Sequence, residues 1–257
     1  RPEDIEAFRE EMGLNDPFIV RYVNYMLGLC QGDLGTSYKT RDPVGEEVWA
    51  RLPNTAMLAL TSTVVAILLA LPLGIIAAIK QNTLFDGISM FISLLGISMP
   101  VFWMGLLLIL FFSVKLGWFP VSGADQGIKS LVLPSIALGF MHMASIARTT
   151  RSSMLETIRQ DYIRTVRAKG LPEKEVITRH ALRNALIPTT TVIGLQIGGM
   201  LGGSVLTESV FAWPGIGRDI PSVMGCIIIF ALSFAVINLI VDLIYGFIDP
   251  RIKAQYK

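Results

Sequence analysis

The residues able to do chemistry are few, and their spacing argues against catalysis by this chain. Histidine occurs twice, at His142 and His180, and cysteine twice, at Cys30 and Cys226. A zinc peptidase needs H-E-x-x-H, which sets two imidazoles and a carboxylate base on one helix; no such run is present. Met141-His142-Met143 offers thioethers and an imidazole, groups that suit soft or borderline metals. Successive helical residues point about 100° apart, so these three cannot converge on one ion. His142 therefore reads as a buried imidazole satisfied by a neighbouring helix, and no metal site is expected. Two cysteines do not make a disulfide framework, and Cys226 reads as a small buried apolar residue. No G-x-x-x-x-G-K-[ST] run occurs, nor even the dipeptide Gly-Lys, so the chain has no P-loop to cradle nucleotide phosphates.

The remaining chemistry is ionic. Between Arg148 and Arg183 nine Lys and Arg residues stand against four acids. Ser152 to Lys169 reads as helix, with Met154, Leu155, Ile158, Tyr162, Ile163 and Val166 at spacings of three and four. Gly170 breaks it, and Leu171-Pro172 starts a second helical stretch through Val176, Ile177 and Ala181. A short helix–Gly–helix unit makes a compact knob that can seat in a partner's cleft. Rigid seating is what transmits a partner's movement to the rest of the chain. Arg148, Arg151 and Arg183, at the ends of the loop, are expected at anionic lipid headgroups.

The elements that must position this loop are membrane spans. Of 257 residues 52% are hydrophobic and only 16% charged, with a mean hydropathy of +0.57. A hydrocarbon core of about 30 Å needs roughly 20 apolar helical residues. Five uncharged gaps approach or exceed that length: Arg51 to Lys80, Asp86 to Lys115, Lys129 to Arg148, Arg183 to Glu208, and Asp219 to Asp242. In lipid every backbone polar group must be satisfied within its segment, so the expectation is five helices in an all-α polytopic membrane protein. Lys and Arg favour the cytoplasmic side. That places loop 148–183 and the tail with Arg251, Lys253 and Lys257 inside, and residues 1–54, with ten acids against six bases, outside. The net charge of +2 carries no basic stripe with interleaved aromatics, so nucleic acid is not expected as a partner.

Residues 1–54 read as an extracytoplasmic segment and 55–257 as a transmembrane domain. The segment predicts an acidic helix over 3–14, a turn at Asn15-Asp16-Pro17, and a loose stretch from Gly32 to Ser37. After Pro43 comes a short amphipathic helix with Val44, Val48 and Leu52 on one side, Glu46 and Glu47 on another, and Trp49 at headgroup level. Within the spans Pro72, Pro100 and Pro134 are expected to kink or break helices. Gly194, Gly198, Gly199, Gly202 and Gly203 form a smooth face, either for ordinary helix packing or for lining a pathway between two subunits.

Several runs together carry a family resemblance. Asp161-Tyr162-Ile163-Arg164-Thr165-Val166-Arg167-Ala168-Lys169-Gly170-Leu171, followed by Arg179-His180-Ala181-Leu182-Arg183-Asn184-Ala185-Leu186-Ile187-Pro188, resembles the "EAA" loop of ABC importer permeases. Gly32-Asp33-Leu34-Gly35-Thr36-Ser37, Arg51-Leu52-Pro53-Asn54-Thr55 and Lys115 to Gly123 are similar to the dipeptide/oligopeptide/nickel group. So are Glu208-Ser209-Val210-Phe211-Ala212-Trp213-Pro214-Gly215-Ile216-Gly217 and Asp249-Pro250-Arg251-Ile252. The resemblance covers nearly the whole chain. The eponymous Glu-Ala-Ala is Arg164-Thr165-Val166 here, the stretch after Gly217 is about ten residues short of the pattern, and the family would place a sixth helix before Arg1.

The resemblance implies a type I ABC importer transmembrane domain in a bacterial inner membrane. It implies a coupling helix formed by Asp161, Tyr162, Arg164, Thr165, Arg167, Ala168, Lys169, Gly170 and Leu171, with Gly170 at its sharp turn. The implied partners are a second homologous permease, two ATPase subunits holding ATP and Mg, and an external solute-binding protein. No cofactor is expected on this chain, and no enzymatic activity. The implied cargo is a di- or oligopeptide, with nickel or a nickel chelate as the alternative. A secondary transporter is a remote alternative, because it needs ionisable groups within its spans, and the five gaps hold no Asp, Glu, Lys or Arg.

Overall fold

A computed structural model describes residues 15–35, 43–218, 236, 239 and 240. The expected acidic helix over 3–14, nearly all of the fifth span and the basic tail lie outside these residues. After the turn at Asn15 and Asp16, α1 (Phe18–Cys30) forms a helix that the sequence reading had not placed.

Val44 to Ile79 is one helix, α2, of 36 residues. The short amphipathic helix expected after Pro43 is therefore not separate; it is the first turns of α2, and Pro53 and Pro72 sit inside without ending the helix. At 1.5 Å per residue α2 is about 54 Å long, well beyond a hydrocarbon core of about 30 Å. Its amphipathic first turns have water-exposed length to spare. There Val44 and Val48 are buried against Ile216, with Leu34 and Leu52 beside them.

The second apolar gap is a bent pair rather than one straight span. α3 (Leu84–Ser98) meets α4 (Val101–Leu108), which runs on in π-helical turns over Ile109–Lys115, and the axis turns by 106° between them. Pro100 stands at the joint, where it supplies no N–H to continue the α3 ladder. α5 (Ile128–Ile158) accommodates Pro134 internally. A single turn at Glu173–Glu175 and π-helical turns over Val176–Ala181 lead into α7 (Leu182–Val210), with α6 (Asp161–Ala168) between α5 and that rod. By length and composition three helices can cross a membrane, or four if the bent pair counts as one. The described residues thus supply three of the five expected spans as single helices, and the second apolar gap as a bent pair.

α5 is the axis of the bundle. Of its apolar window 67% is buried, against 39% for α2 and 33% for the segment Glu173–Gly202. Its most extensive packing is against α2, which runs parallel to it. A Cβ on Gly139 would lie 2.7 Å from the Ser62 carbonyl oxygen, and one on Gly74 2.6 Å from that of Ala147. Small residues at these two crossings let the backbones touch, the way helices gain van der Waals contact in lipid. Leu58, Leu138, Met143, Ile146 and Met200 fill the space between α2, α5 and α7. On the outside Leu60, Val64 and Leu68, spaced four apart, and Phe91 and Leu94 are exposed. That apolar belt suits contact with lipid tails.

Candidate functional site

The loop between α5 and α7 folds back on the bundle instead of continuing as one helix. The expected helix Ser152–Lys169 breaks at Arg159 and Gln160: Arg159 N–H closes onto Glu156 O, Gln160 N–H onto Thr157 O, and Gln160 turns extended. The reason is burial. The break lets Ile163 join Met154, Val176, Ile177, Ala181 and Ala185 in one cluster, where Ile163 is fully covered. The apolar residues spaced at three and four therefore serve a single compact core, which a straight helix would have spread along a rod.

Gly170 forms the turn, with φ +80, a conformation that costs a side-chain-bearing residue about 1–2 kcal/mol. Two bonds from Arg167 to Glu173, of 3.0 and 2.6 Å, span that turn. The bidentate geometry fixes both partners, and the carboxylate holds the Arg167 guanidinium proton more tightly than usual, mainly through this hydrogen bond. On the inner side, the Asn184 amide donates to the Tyr162 hydroxyl at 2.7 Å, and that hydroxyl donates to the His180 carbonyl at 3.3 Å. Arg179 reaches Glu175 at 3.2 Å.

Of the nine residues expected to form the coupling surface, Asp161, Arg164, Thr165, Arg167, Ala168, Lys169 and Gly170 are exposed, while Tyr162 and Leu171 are half-buried anchors. The turn thus presents a polar ridge on a rigid apolar base. This arrangement suits seating against another protein; it assembles no nucleophile and base.

The glycine face divides. Gly194 and Gly198 are buried, Gly199 lies beside His142, and Gly202 is exposed with open space around it. The side-chain environment of Gly203 lies outside the description. His142, beside Gly199, is buried and shares a 2.6 Å hydrogen bond with Gln196 Oε1 of α7. Among the described residues no three His, Cys, Asp or Glu side chains come together as a metal site.

Arg151, expected at the lipid headgroups, has a protein partner. It donates to Asp86 through Nε at 2.8 Å and Nη2 at 2.7 Å, while the Asn82 N–H reaches the same carboxylate at 3.0 Å. An acid at the start of α3 is a partner that the run of arginines itself does not reveal.

At the opposite end of the bundle the sequence reading missed a second constellation. Glu208, at the end of α7, is fully buried. Its carboxyl accepts the Thr55 hydroxyl at 2.7 Å and the Gly217 N–H at 2.7 Å, and Thr55 Oγ1 accepts the Ile216 N–H at 3.0 Å. Trp213 Nε1 donates to the Asn54 carbonyl at 3.1 Å, and the Asn54 amide donates to Pro214 O at 2.9 Å. Gly215 passes directly over the carboxyl, where a Cβ would collide with it. Two of the runs that carried the family resemblance, 51–55 and 208–217, are thus one structural unit. The available signal was an acid at a span end, followed by Trp-Pro-Gly.

Residues 70–254 match the family described as "Binding-protein-dependent transport system inner membrane component". The chain is 46% identical to the dipeptide transport system permease protein DppB of Alkalihalophilus pseudofirmus, over 98% of this chain and 86% of that one. It is 44% identical to the glutathione transport system permease protein GsiC of Escherichia coli, over 97% and 84%. In fold it is similar to the MetNI methionine ABC transporter in an inward-facing conformation, with a TM-score of 0.66, 17% identity, and coverage of 79% of this chain and 96% of that one.

Proposed function

We propose a working role from one premise: this chain belongs to the family of binding-protein-dependent transport system inner membrane components. It is a transmembrane permease subunit of an ABC importer. The cargo is a small peptide, a reading carried by 46% identity over nearly the whole chain to a dipeptide permease. The glutathione permease at 44% identity handles a peptide-like solute by its name and supports the same class.

The loop 148–183 faces the cytoplasm and docks on an ATPase subunit through the ridge Asp161 to Leu171. Two such ATPases, each binding ATP and Mg, work with this chain, a second homologous permease and an external solute-binding protein. ATP binding closes the ATPase pair and moves the docked ridges. Because the ridge is stapled by Arg167 and Glu173 and rooted by Ile163, the displacement passes to α5 and α7 as a rigid shift. The pathway then opens outward to receive cargo, and hydrolysis resets it inward. The cycle is a population shift between two states, biased by nucleotide on one side and the loaded receptor on the other. Residues 1–54 lie on the outer side, where the 51–55 and 208–217 unit joins α2 to the end of α7. The face of Gly194, Gly198, Gly199, Gly202 and Gly203 serves helix packing at its buried positions and borders the second permease at Gly202.

The test is uptake into vesicles holding the assembled transporter and its binding protein, with short peptides competed against nickel ion. Peptide uptake that nickel leaves unchanged is the expected outcome. Nickel-specific uptake that peptides do not inhibit overturns the peptide reading.

A further inference from the structure

Between α5 and α7 lies an open cleft of about 540 Å³, in the size range of roughly 300–1,000 Å³ found for small-molecule sites. Its wall on α5 is Ser145, Arg148, Thr149 and Ser152, at spacings that share one helix face. α7 faces them with Gln196 and the apolar Val192 and Leu195. Among the described residues no acid lines the cleft.

Arg148 and Arg183 are the two arginines of the loop with no partner among the described residues, and of the two only Arg148 lines the cleft. Arg151, one turn further along the chain, is held by Asp86, and Arg159, Arg164, Arg167 and Arg179 each reach an acceptor. Among the described residues no ion pair or hydrogen bond engages the Arg148 guanidinium, which is exposed to the cleft. Gln196 points the same way chemically: its Oε1 is committed to His142 Nδ1, so its amide N–H groups are the polar atoms left to face a ligand. The cleft therefore offers a free cation and several neutral donors beside an apolar patch.

That set fits a carboxylate next to a peptide bond and a side chain. A guanidinium binds a carboxylate in a planar fork, with charge assistance. The same charge repels a free divalent cation. We propose that this cleft is a station for the C-terminal carboxylate of the transported peptide, with Arg148 as its counter-charge and Gln196 reaching the adjacent peptide group. The assignment rests on the peptide reading above. An exposed cation in a wet cleft holds its ligand weakly, and a pathway needs a site that its cargo can leave.

The experiment uses the complete transporter in nanodiscs of zwitterionic lipid, without nucleotide or binding protein. Equilibrium binding of radiolabelled dialanine is measured, then competed with unlabelled dialanine and with dialanine amide. The amide is expected to compete at least about tenfold more weakly, and Arg148→Gln to weaken dialanine binding by at least about tenfold, with part recovered by Arg148→Lys. Co-purification of all subunits checks assembly, and the acid–amide comparison on the natural protein decides the matter even where the variant fails to assemble. Equal competition by acid and amide, unchanged binding by Arg148→Gln, or no saturable binding by the natural protein each overturns the proposal. Loss of dialanine binding on adding phosphatidylglycerol to the discs assigns the guanidinium to a lipid phosphate and overturns it as well. Failed peptide uptake in the vesicle assay removes the functional reading itself; intact uptake with equal acid and amide competition removes only this assignment.

Discussion

The two ends of the bundle hold their polar groups in opposite ways. At the coupling end, acids and bases meet in water: Arg167 and Glu173 across the Gly170 turn, Arg164 near Asp161, and Arg179 beside Glu175. At the far end the Glu208 carboxyl is fully buried and bonded to Thr55 and Gly217, beside a mostly covered pair between Glu47 and Arg51 at 2.6 Å. Exposed ion pairs are worth little, about 0.2–1 kcal/mol each. Buried donors stripped of their acceptor cost about 1–3 kcal/mol apiece. The coupling end thus spends its charges on shape and on contact with a partner. The far end uses its polar atoms to fasten two distant stretches of chain together.

That contrast orders the expected effects of substitution. Glu208→Ala should be the most destabilising, by about 2–6 kcal/mol, because the Thr55 hydroxyl and the Gly217 N–H both lose their buried acceptor. Thermal unfolding of the purified subunit complex in detergent measures this, and an unchanged midpoint would show that the far end is not fastened by this carboxyl. Asp86→Ala should cost about 1–3 kcal/mol by freeing a half-buried Arg151. A double-mutant cycle with Arg151→Ala should return most of that loss as coupling between the pair.

Gly170→Val comes next, at about 1–2 kcal/mol for a β-branched residue at φ +80. Its main readout is cargo-stimulated ATPase activity of the assembled complex, which is expected to fall. Wild-type assembly together with wild-type stimulation would refute the role given to this turn. Arg167→Ala should be the mildest for stability, at about 0.2–1 kcal/mol and less in high salt. If it instead destabilises as strongly as Glu208→Ala, the contrast between a wet end and a buried end is wrong.

Much of the coupling loop was legible because its signals are local. A glycine between two helical patterns, with Leu-Pro after it, announces a turn whatever surrounds it. The break at Arg159 and Gln160 was not legible, since residues 152–169 satisfy helical periodicity throughout. Only the gain from burying Ile163 against Val176 and Ile177 decides that the helix must fold back. The glycines show the same limit. The run in α7 stood out by repetition, yet close backbone approaches to α5 and α2 are made at the isolated Gly74, Gly96 and Gly139. A helix contact depends on the residue across the gap, and spacing along one chain does not contain that residue.

The sequence by itself determined the class of the molecule: long uncharged stretches of helical length, charges gathered at their ends, and one basic loop with a glycine turn. These follow from backbone satisfaction in lipid and from local conformational preference, which act within about twenty residues. Tertiary structure decided the pairings. It joined Asp86 to Arg151, Thr55 to Glu208 and His142 to Gln196, and it left Arg148 facing a cleft with no partner among the described residues. Each pairing spans 54 to 153 positions along the chain. Over such separations only the packing of α2, α3 and α7 around α5 determines which groups come within bonding distance.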